Sequence, residues 1–297
     1  MSAAAPLPRD EPLEPSALSD VLGRHRRWFV LTGAGVSTLS GIPAYRDESG
    51  AWKHAAPIQF RDFVQSAALR RRYWARSFVG FERVNRAEPN DAHHALSRLE
   101  RLGRARLLVT QNVDGLHQKA GSLAVIDLHG QLAEVECLAC HAHFARASIQ
   151  EQLLEQNPWL ARTRSAFATP DGDAELEPGD HDELLEPRCI GCGGVLKPAV
   201  VFFGENVPKV RIDQAYQALA ESDALLVVGS SLMVFSGYRF ARRAAELGKP
   251  VVVINHGLTR ADALASLKVE GECGALLDAA VSVLGPAGGG AADRKQG

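Results

Sequence analysis

Short runs of Val, Ile and Leu, bounded by turn residues and free of polar alternation, recur along this chain: Trp28–Thr32, Arg106–Thr110, Val125–Leu128, Ala199–Phe203, Ala224–Val228, Pro250–Asn255 and Ala279–Leu284. A strand with one wet face alternates apolar and polar residues; a run that is apolar throughout is a strand covered on both sides. Helical stretches separate several of these runs. Asn90–Leu102 opens on Asn-Asp, a good N-cap, and sets Ala92, Ala95, Leu96 and Leu99 on one face. Val210–Glu221 and Tyr238–Leu247 have the same character, and Gly248-Lys249-Pro250 stops the second. Alternating strands and helices predict an α/β fold, a Rossmann-like parallel sheet with helices on both faces.

Two segments stand outside that alternation. Residues 42–89 read as helical and basic, with Arg70, Arg71, Arg72, Arg76 and Arg83. Residues 131–197 carry four cysteines and an acidic loop, Asp171–Glu186. Together they predict a small domain of two insertions, one helical and one zinc-binding. Residues 21–41, 90–130 and 198–285 then make the nucleotide-binding domain. Residues 1–20 read as a flexible lead-in and the Gly/Ala-rich 286–297 as a disordered tail.

The chain has 297 residues and a formal net charge of −2, which gives no reason to expect nucleic acid or a membrane surface as partner. No apolar run has the length of a bilayer span. The Pro-rich start has neither an apolar signal core nor an Arg-rich presequence, so a reducing, cytoplasmic setting is expected. In that setting Cys137/Cys140 and Cys189/Cys192, two Cys-x-x-Cys pairs, are metal ligands rather than disulfides. Four soft thiolates suit one closed, tetrahedral, structural Zn²⁺ and leave no open position for catalysis. Cys137-Leu-Ala-Cys140-His141 also matches a haem-attachment pattern, but that reading leaves Cys189 and Cys192 without a role.

Gly33-Ala34-Gly35 follows the first buried run, where glycines let backbone approach a pyrophosphate at the start of a helix. The third Gly of a dehydrogenase fingerprint is replaced by Thr38, and Gly41 comes too late. A dinucleotide fits this pattern; ordinary hydride transfer does not. His129 closes another strand, at the sheet edge where α/β ligands bind, and imidazole with a pKa of about 6.5 can accept a proton near neutrality. Asn112 and Asp114 follow the second strand. They can grip a carboxamide or a water, or simply form an Asx turn before Gly115.

The run Val36-Ser-Thr-Leu-Ser-Gly-Ile-Pro-Ala-Tyr-Arg46 resembles the signature of the sirtuins, NAD-dependent protein lysine deacylases. Thr110-Gln-Asn-Val-Asp-Gly-Leu-His117, Leu128-His-Gly130, Val201-Phe-Phe-Gly-Glu205 and Gly229-Ser-Ser-Leu232 agree with it in order, so the likeness runs from about Trp28 to Leu284. Arg72-Tyr-Trp-Ala-Arg76, Cys192-Gly-Gly-Val-Leu-Lys-Pro198, Ser236-Gly-Tyr-Arg-Phe240 and Leu258-Thr-Arg-Ala-Asp262 look closest to the class II branch, which includes the mitochondrial lipoamidase type. Ala44 departs from the Asp that many relatives carry.

The resemblance implies NAD and zinc as cofactors, an acylated lysine in a protein or peptide as partner, and free lysine, nicotinamide and O-acyl-ADP-ribose as products. It makes His129 the base for a hydroxyl of the nicotinamide ribose, with Asn112 and Asp114 in the catalytic group. It assigns NAD contacts to Gly33, Ala34, Gly35, Ser37, Ile42, Arg46, Gln111, Val113, Gly229, Ser230, Ser231, Asn255, His256, Gly257 and Cys273. Cys273, with no basic neighbour, reads as an inert thiol. Val201 and Phe203, facing Met233–Ser236, would take the substrate peptide as an added strand. Tyr73 and Arg76, one helical turn apart, resemble a pair that reads an acyl carboxylate, which predicts a preference for acidic acyls, while the likeness to the lipoamidase type implies lipoyl-type acyls as the other option. Two alternatives share the NAD site: mono-ADP-ribosyl transfer to protein, and a non-catalytic NAD or ADP-ribose sensor with a zinc module.

Overall fold

The computed structural model describes residues 15–53, 57–163 and 182–285. Six parallel strands, β1 (Trp28–Thr32), β2 (Ala105–Thr110), β3 (Val125–Asp127), β7 (Ala224–Val228), β8 (Val251–Ile254) and β9 (Leu267–Val269), form one sheet in the order β3-β2-β1-β7-β8-β9. β1, β7 and β8 are buried at every position, which is why their sequences lack alternation. Successive residues nonetheless serve different faces. Val30, Leu226 and Val252 pack with Leu18, Leu22, Leu96, Leu99 and Leu277 of helices α1 (Pro15–Arg24), α4 (Asp91–Arg101) and α9 (Cys273–Ser282). Phe29, Leu31, Leu225 and Val253 pack with Leu219, Phe240 and Ala244 of α7 (Lys209–Glu221) and α8 (Phe235–Glu246). Asn90 caps α4 as its side chain accepts from the Ala92 N–H, while the His93 ring accepts from the Asn90 N–H.

A second sheet is antiparallel. β4 (Gly130–Cys137) lies between β5 (His143–Ala145) and β6 (Leu196–Val200). A separate apolar cluster joins it to α2 (Phe60–Gln65), α3 (Ala67–Arg86) and α6 (Arg146–Gln156) through Phe63, Trp74, Val135, Ile149, Leu153 and Leu196. The short helix α5 (Leu116–Lys119) follows β2. Among the described residues no helix is long and apolar enough to cross a membrane.

Three sequence expectations change. Ala279–Leu284 is not a strand: it overlaps the end of α9, whose Leu277, Ala280 and Val281 are buried at helical spacing, and the outer strand is β9. Glu272 caps α9 by accepting from the Gly274 and Ala275 N–H groups. The Ala199–Phe203 run does not join the parallel sheet; its first residues end β6 in the small sheet. Gly130, at φ 82, turns the chain out of the parallel sheet, and a Cβ there would sit 1.9 Å from the Ala199 carbonyl oxygen. Residues 15–20 are helical rather than flexible, because Leu18 of α1 is buried against the core. The tail 286–297 and most of the acidic loop lie outside the described residues.

Candidate active site

Strand order reverses direction about β1, so the loops leaving β1, β2, β7 and β8 diverge and leave a crevice at their carboxyl ends. A cavity of about 550 Å³ occupies it. Two glycine loops form its floor by packing on one another. A Cβ on Gly35 would lie 2.8 Å from the Gly229 carbonyl oxygen, and one on Gly229, at φ 58, would lie 2.5 Å from the Val36 nitrogen. The glycines therefore serve first to let two loops touch. The α-helix expected after Gly35 is absent; two short 3₁₀ turns, Ala34–Val36 and Thr38–Ser40, take its place, so this loop itself presents no long helix dipole to the cavity.

The cavity wall brings together Gly33, Ala34, Gly35, Ser37, Ile42, Arg46, Gln111, Asn112, Val113, Asp114, His129, Gly229, Ser230, Ser231, Asn255, His256 and Cys273. Gly257 is not on the wall; at φ 84 it packs against the backbone of Glu48. Polar groups cross-link the wall. Asn112 Nδ2 donates to the Gly33 carbonyl at 3.1 Å and to Ser37 Oγ at 3.0 Å. Ser37 Oγ donates to Asp114 at 2.7 Å, and Asp114 also accepts the Leu116 N–H at 2.9 Å, the Asx geometry read from the sequence. Burial raises the Asp114 carboxyl above its ordinary range. Gln111 Nε2 ties β2 to the β7 loop by donating to Ser230 Oγ at 2.8 Å. Arg46 donates to the Gly50 carbonyl and lies 3.9 Å from the Trp52 ring centroid. Asn255 spends its amide on the His256 and Gly257 carbonyls. Burial pushes the Cys273 thiol up to about 12, in keeping with an inert group.

His129 is held at both ring nitrogens. Nδ1 lies 2.9 Å from the Gln111 carbonyl oxygen, which only accepts, so Nδ1 carries the proton. Nε2 then holds the lone pair, and the Ser236 hydroxyl, 2.8 Å away, donates to it. Burial lowers the imidazole pKa to about 4, with the Gln111 carbonyl working the other way, so the ring is neutral at physiological pH.

Along one side of the cavity runs residues 200–203. Val201 N–H donates to the His129 carbonyl and Phe60 N–H to the Phe203 carbonyl. Phe203 pairs with Gln59 in a parallel bridge, while the Val201 carbonyl has no backbone partner among the described residues. Lys197, whose side chain is 4 % exposed, braces this segment by donating to the Val200 carbonyl and to Glu205, which in turn accepts the Phe202 N–H. Phe203 meets Trp52 at 5.6 Å and Tyr45 at 6.4 Å, an aromatic group on the wall. Tyr73 reaches the wall beside Ile58 and Phe202; Arg76 does not line it.

The four Cys-x-x-Cys sulfurs lie within 4.8 Å of one another, with Cys137–Cys192 at 3.5 Å and Cys140–Cys189 at 3.7 Å. A tetrahedral zinc with bonds of about 2.3 Å needs sulfurs about 3.8 Å apart, and a disulfide about 2.0 Å, so the set fits zinc. The Cys140 and Ala139 N–H groups draw the Cys137 thiol down to about 6. Despite the Gly194 N–H, the sulfurs of Cys140, Cys137 and Cys189 push Cys192 up to about 12. Four adjacent thiols cannot all ionise without a cation among them. His141 turns away to Glu136, so the haem-type reading has no support.

Residues 33–236 match the Sir2 family. The chain belongs to the Sir2 family. Similar proteins include an NAD-dependent protein deacetylase 2 of Bradyrhizobium diazoefficiens, 53% identical over 267 residues that cover 90% of this chain and 97% of the relative. The mitochondrial NAD-dependent protein lipoamidase sirtuin-4 of Bos taurus is 46% identical over 91% of this chain and 88% of its own. A Sir2–p53 peptide–NAD⁺ structure superposes with a TM-score of 0.70 at 28% identity, covering 89% of this chain and 96% of that one. A Sir2 homologue–NAD complex does so with a TM-score of 0.69 at 29% identity, covering 90% and 92%.

Within this Sir2 chain the sequence left two polar contacts unread. Ser236 meets His129 across 107 residues, and its neighbour explains the approach: a Cβ on Gly237 would lie 2.4 Å from the Gln111 side chain. Only Ser-Gly at the start of α8 hints at it. His117 bonds Thr32 Oγ1 at 2.9 Å and meets the His93 ring at a tilt, with ring centroids 4.8 Å apart.

Proposed function

We propose that this chain removes acyl groups from protein lysines at the expense of NAD, with His129 as the base and a lipoyl-type acyl as its preferred cargo. The chain is an enzyme of the NAD-dependent protein deacetylase class. The observation that carries the reading is convergence: one cavity holds the glycine loops, a neutral His129 and the open carbonyl of Val201.

NAD bound there supplies a cleavable nicotinamide–ribose bond and a ribose that carries the acyl group away. The cavity fits such a ligand by size and by its polar set of Asn112, Asp114, Ser230, Ser231 and Asn255. Asn112, which donates to Ser37, and Ser37, which donates to Asp114, would orient the nicotinamide end. His129 Nε2 accepts a proton, and the Gln111 carbonyl stabilises the imidazolium that results. The Val201 carbonyl pairs with the substrate backbone, and the Tyr45–Trp52–Phe203 group lines the path of the lysine stem.

The acyl chain points toward Ile58, Tyr73 and Phe202. That wall is apolar with one phenol, and Arg76 is not part of it, which favours a long, weakly polar acyl over a carboxylate-ended one. A lipoamidase is 46% identical, whereas relatives at 53–54% are named deacetylases, which makes acetyl the competing acyl. The test is nicotinamide and lysine release from acetyl-, glutaryl- and lipoyl-lysine peptides. Lipoyl should lead and glutaryl trail, and a His129→Ala variant should lose about 10²-fold or more. Glutaryl or acetyl ahead of lipoyl refutes the acyl assignment; undiminished turnover by the variant refutes the role of His129.

A further inference from the structure

If His129 is the base, its working nitrogen is already taken. Nδ1 donates to the Gln111 carbonyl, leaving one lone pair at Nε2, and the Ser236 hydroxyl fills it at 2.8 Å. The contact is built in. Gly237 lets the first turn of α8 close on the Gln111 side chain, where any Cβ would clash, and this sets Ser236 over the imidazole. A proton therefore reaches Nε2 either after Ser236 leaves or through it.

Ser236 is equipped for the second route. It lines the same cavity as Asn112, Ser37 and Ser231. Among the described residues no group donates to its Oγ, so the oxygen's acceptor capacity is open while its proton points at His129. We propose that Ser236 is a proton relay between the substrate hydroxyl and His129. Ser236 Oγ takes the hydroxyl's proton as its own passes to Nε2. One O–H bond on the substrate breaks and one Oγ–H forms; the old Oγ–H breaks and an Nε2–H forms. Serine ends unchanged, the imidazole ends as imidazolium on the Gln111 carbonyl, and the substrate oxygen keeps the electron pair. This rests on the assignment of His129 as base, so the experiment separates the two.

The first readout needs neither NAD nor turnover. In protein labelled with ¹⁵N-histidine, the His129 Nε2 resonance should move in Ser236→Ala toward that of an acceptor without a hydrogen bond, and stay near the parent value in Ser236→Thr. The second is a single turnover of a lipoyl-lysine peptide in mixed H₂O and D₂O. The parent rate should curve with deuterium fraction, because two protons move together. Ser236→Ala should be slower by roughly tenfold, a part of the 10²–10⁴ that a general base supplies, with a straight-line dependence, and Ser236→Thr should restore most of the rate. The relay is overturned by an unmoved resonance, by a linear dependence in the parent, or by Ser236→Ala as fast as the parent while His129→Ala is slow. A His129→Ala variant as fast as the parent sinks the base assignment itself.

Discussion

Acid should weaken this fold well before its carboxylates protonate. His93 and His117 are 0% and 1% exposed and pack ring against tilted ring, and His129 lines the cavity. Burial lowers His93 and His129 to about 4 and His117 well below its ordinary 6.5. Each depends on a neutral ring: His93 accepts the Asn90 N–H, and His129 accepts the Ser236 hydroxyl. Below pH 6.5 the unfolded chain binds protons that the folded chain refuses until about 4. Stability is therefore full above that window and falls as pH drops through it. A group shifted from about 6.5 to about 4 loses about 2 kcal/mol between pH 7 and pH 5, so His93 and His129 together lose about 4 kcal/mol, a large part of a typical domain's margin, and His117 acts in the same direction. Asp114, raised by burial, opposes this with a single group. The assay is urea unfolding of the zinc-loaded protein at pH 7 and pH 5, for the parent and His93→Gln. The variant's pH-dependent loss should be smaller by about 2 kcal/mol, whatever its absolute stability. A parent loss below about 1 kcal/mol, or the same loss in the variant, would show that these rings are not held neutral.

The purified chain should carry one zinc per molecule, and Cys189→Ser should abolish that content, as read by metal analysis, and loosen the β4–β6 part while the parallel sheet keeps its amide protection. Glu205→Gln should cost about 3 kcal/mol in unfolding experiments by stranding the buried Lys197 ammonium. Lys197→Met should cost less, because Glu205 is 22% exposed and keeps the Phe202 N–H, and the double substitution should recover most of the loss.

Much of this arrangement could be read along the chain because it depends on neighbours in sequence. Non-alternating runs such as Ala224–Val228 announce a strand buried on both faces, and Asn90 announces the start of α4, since strand burial and helix capping are local properties. The paired cysteines name their own chemistry, and the run from Gly33 to Arg46 marks the cavity. Short apolar segments are less clear. Ala279–Leu284 reads equally as strand or helix, and the Glu272 cap with burial of Leu277 and Val281 decides for helix. Arg76 is one turn from Tyr73, yet only Tyr73 meets the wall, because a turn of α3 sets direction and the rest of the fold sets depth.

What the chain alone determined is the kind of fold and the kind of site: a doubly covered parallel sheet, a glycine loop, four thiols and a strand-end histidine. Tertiary structure alone decided the protonation and partners of that histidine. Its neutrality comes from burial, its tautomer from a carbonyl 18 residues away, and its hydroxyl partner from a helix 107 residues away. Residue spacing carries no information about dielectric surroundings or about contacts between distant segments; those exist only once the chain has closed on itself.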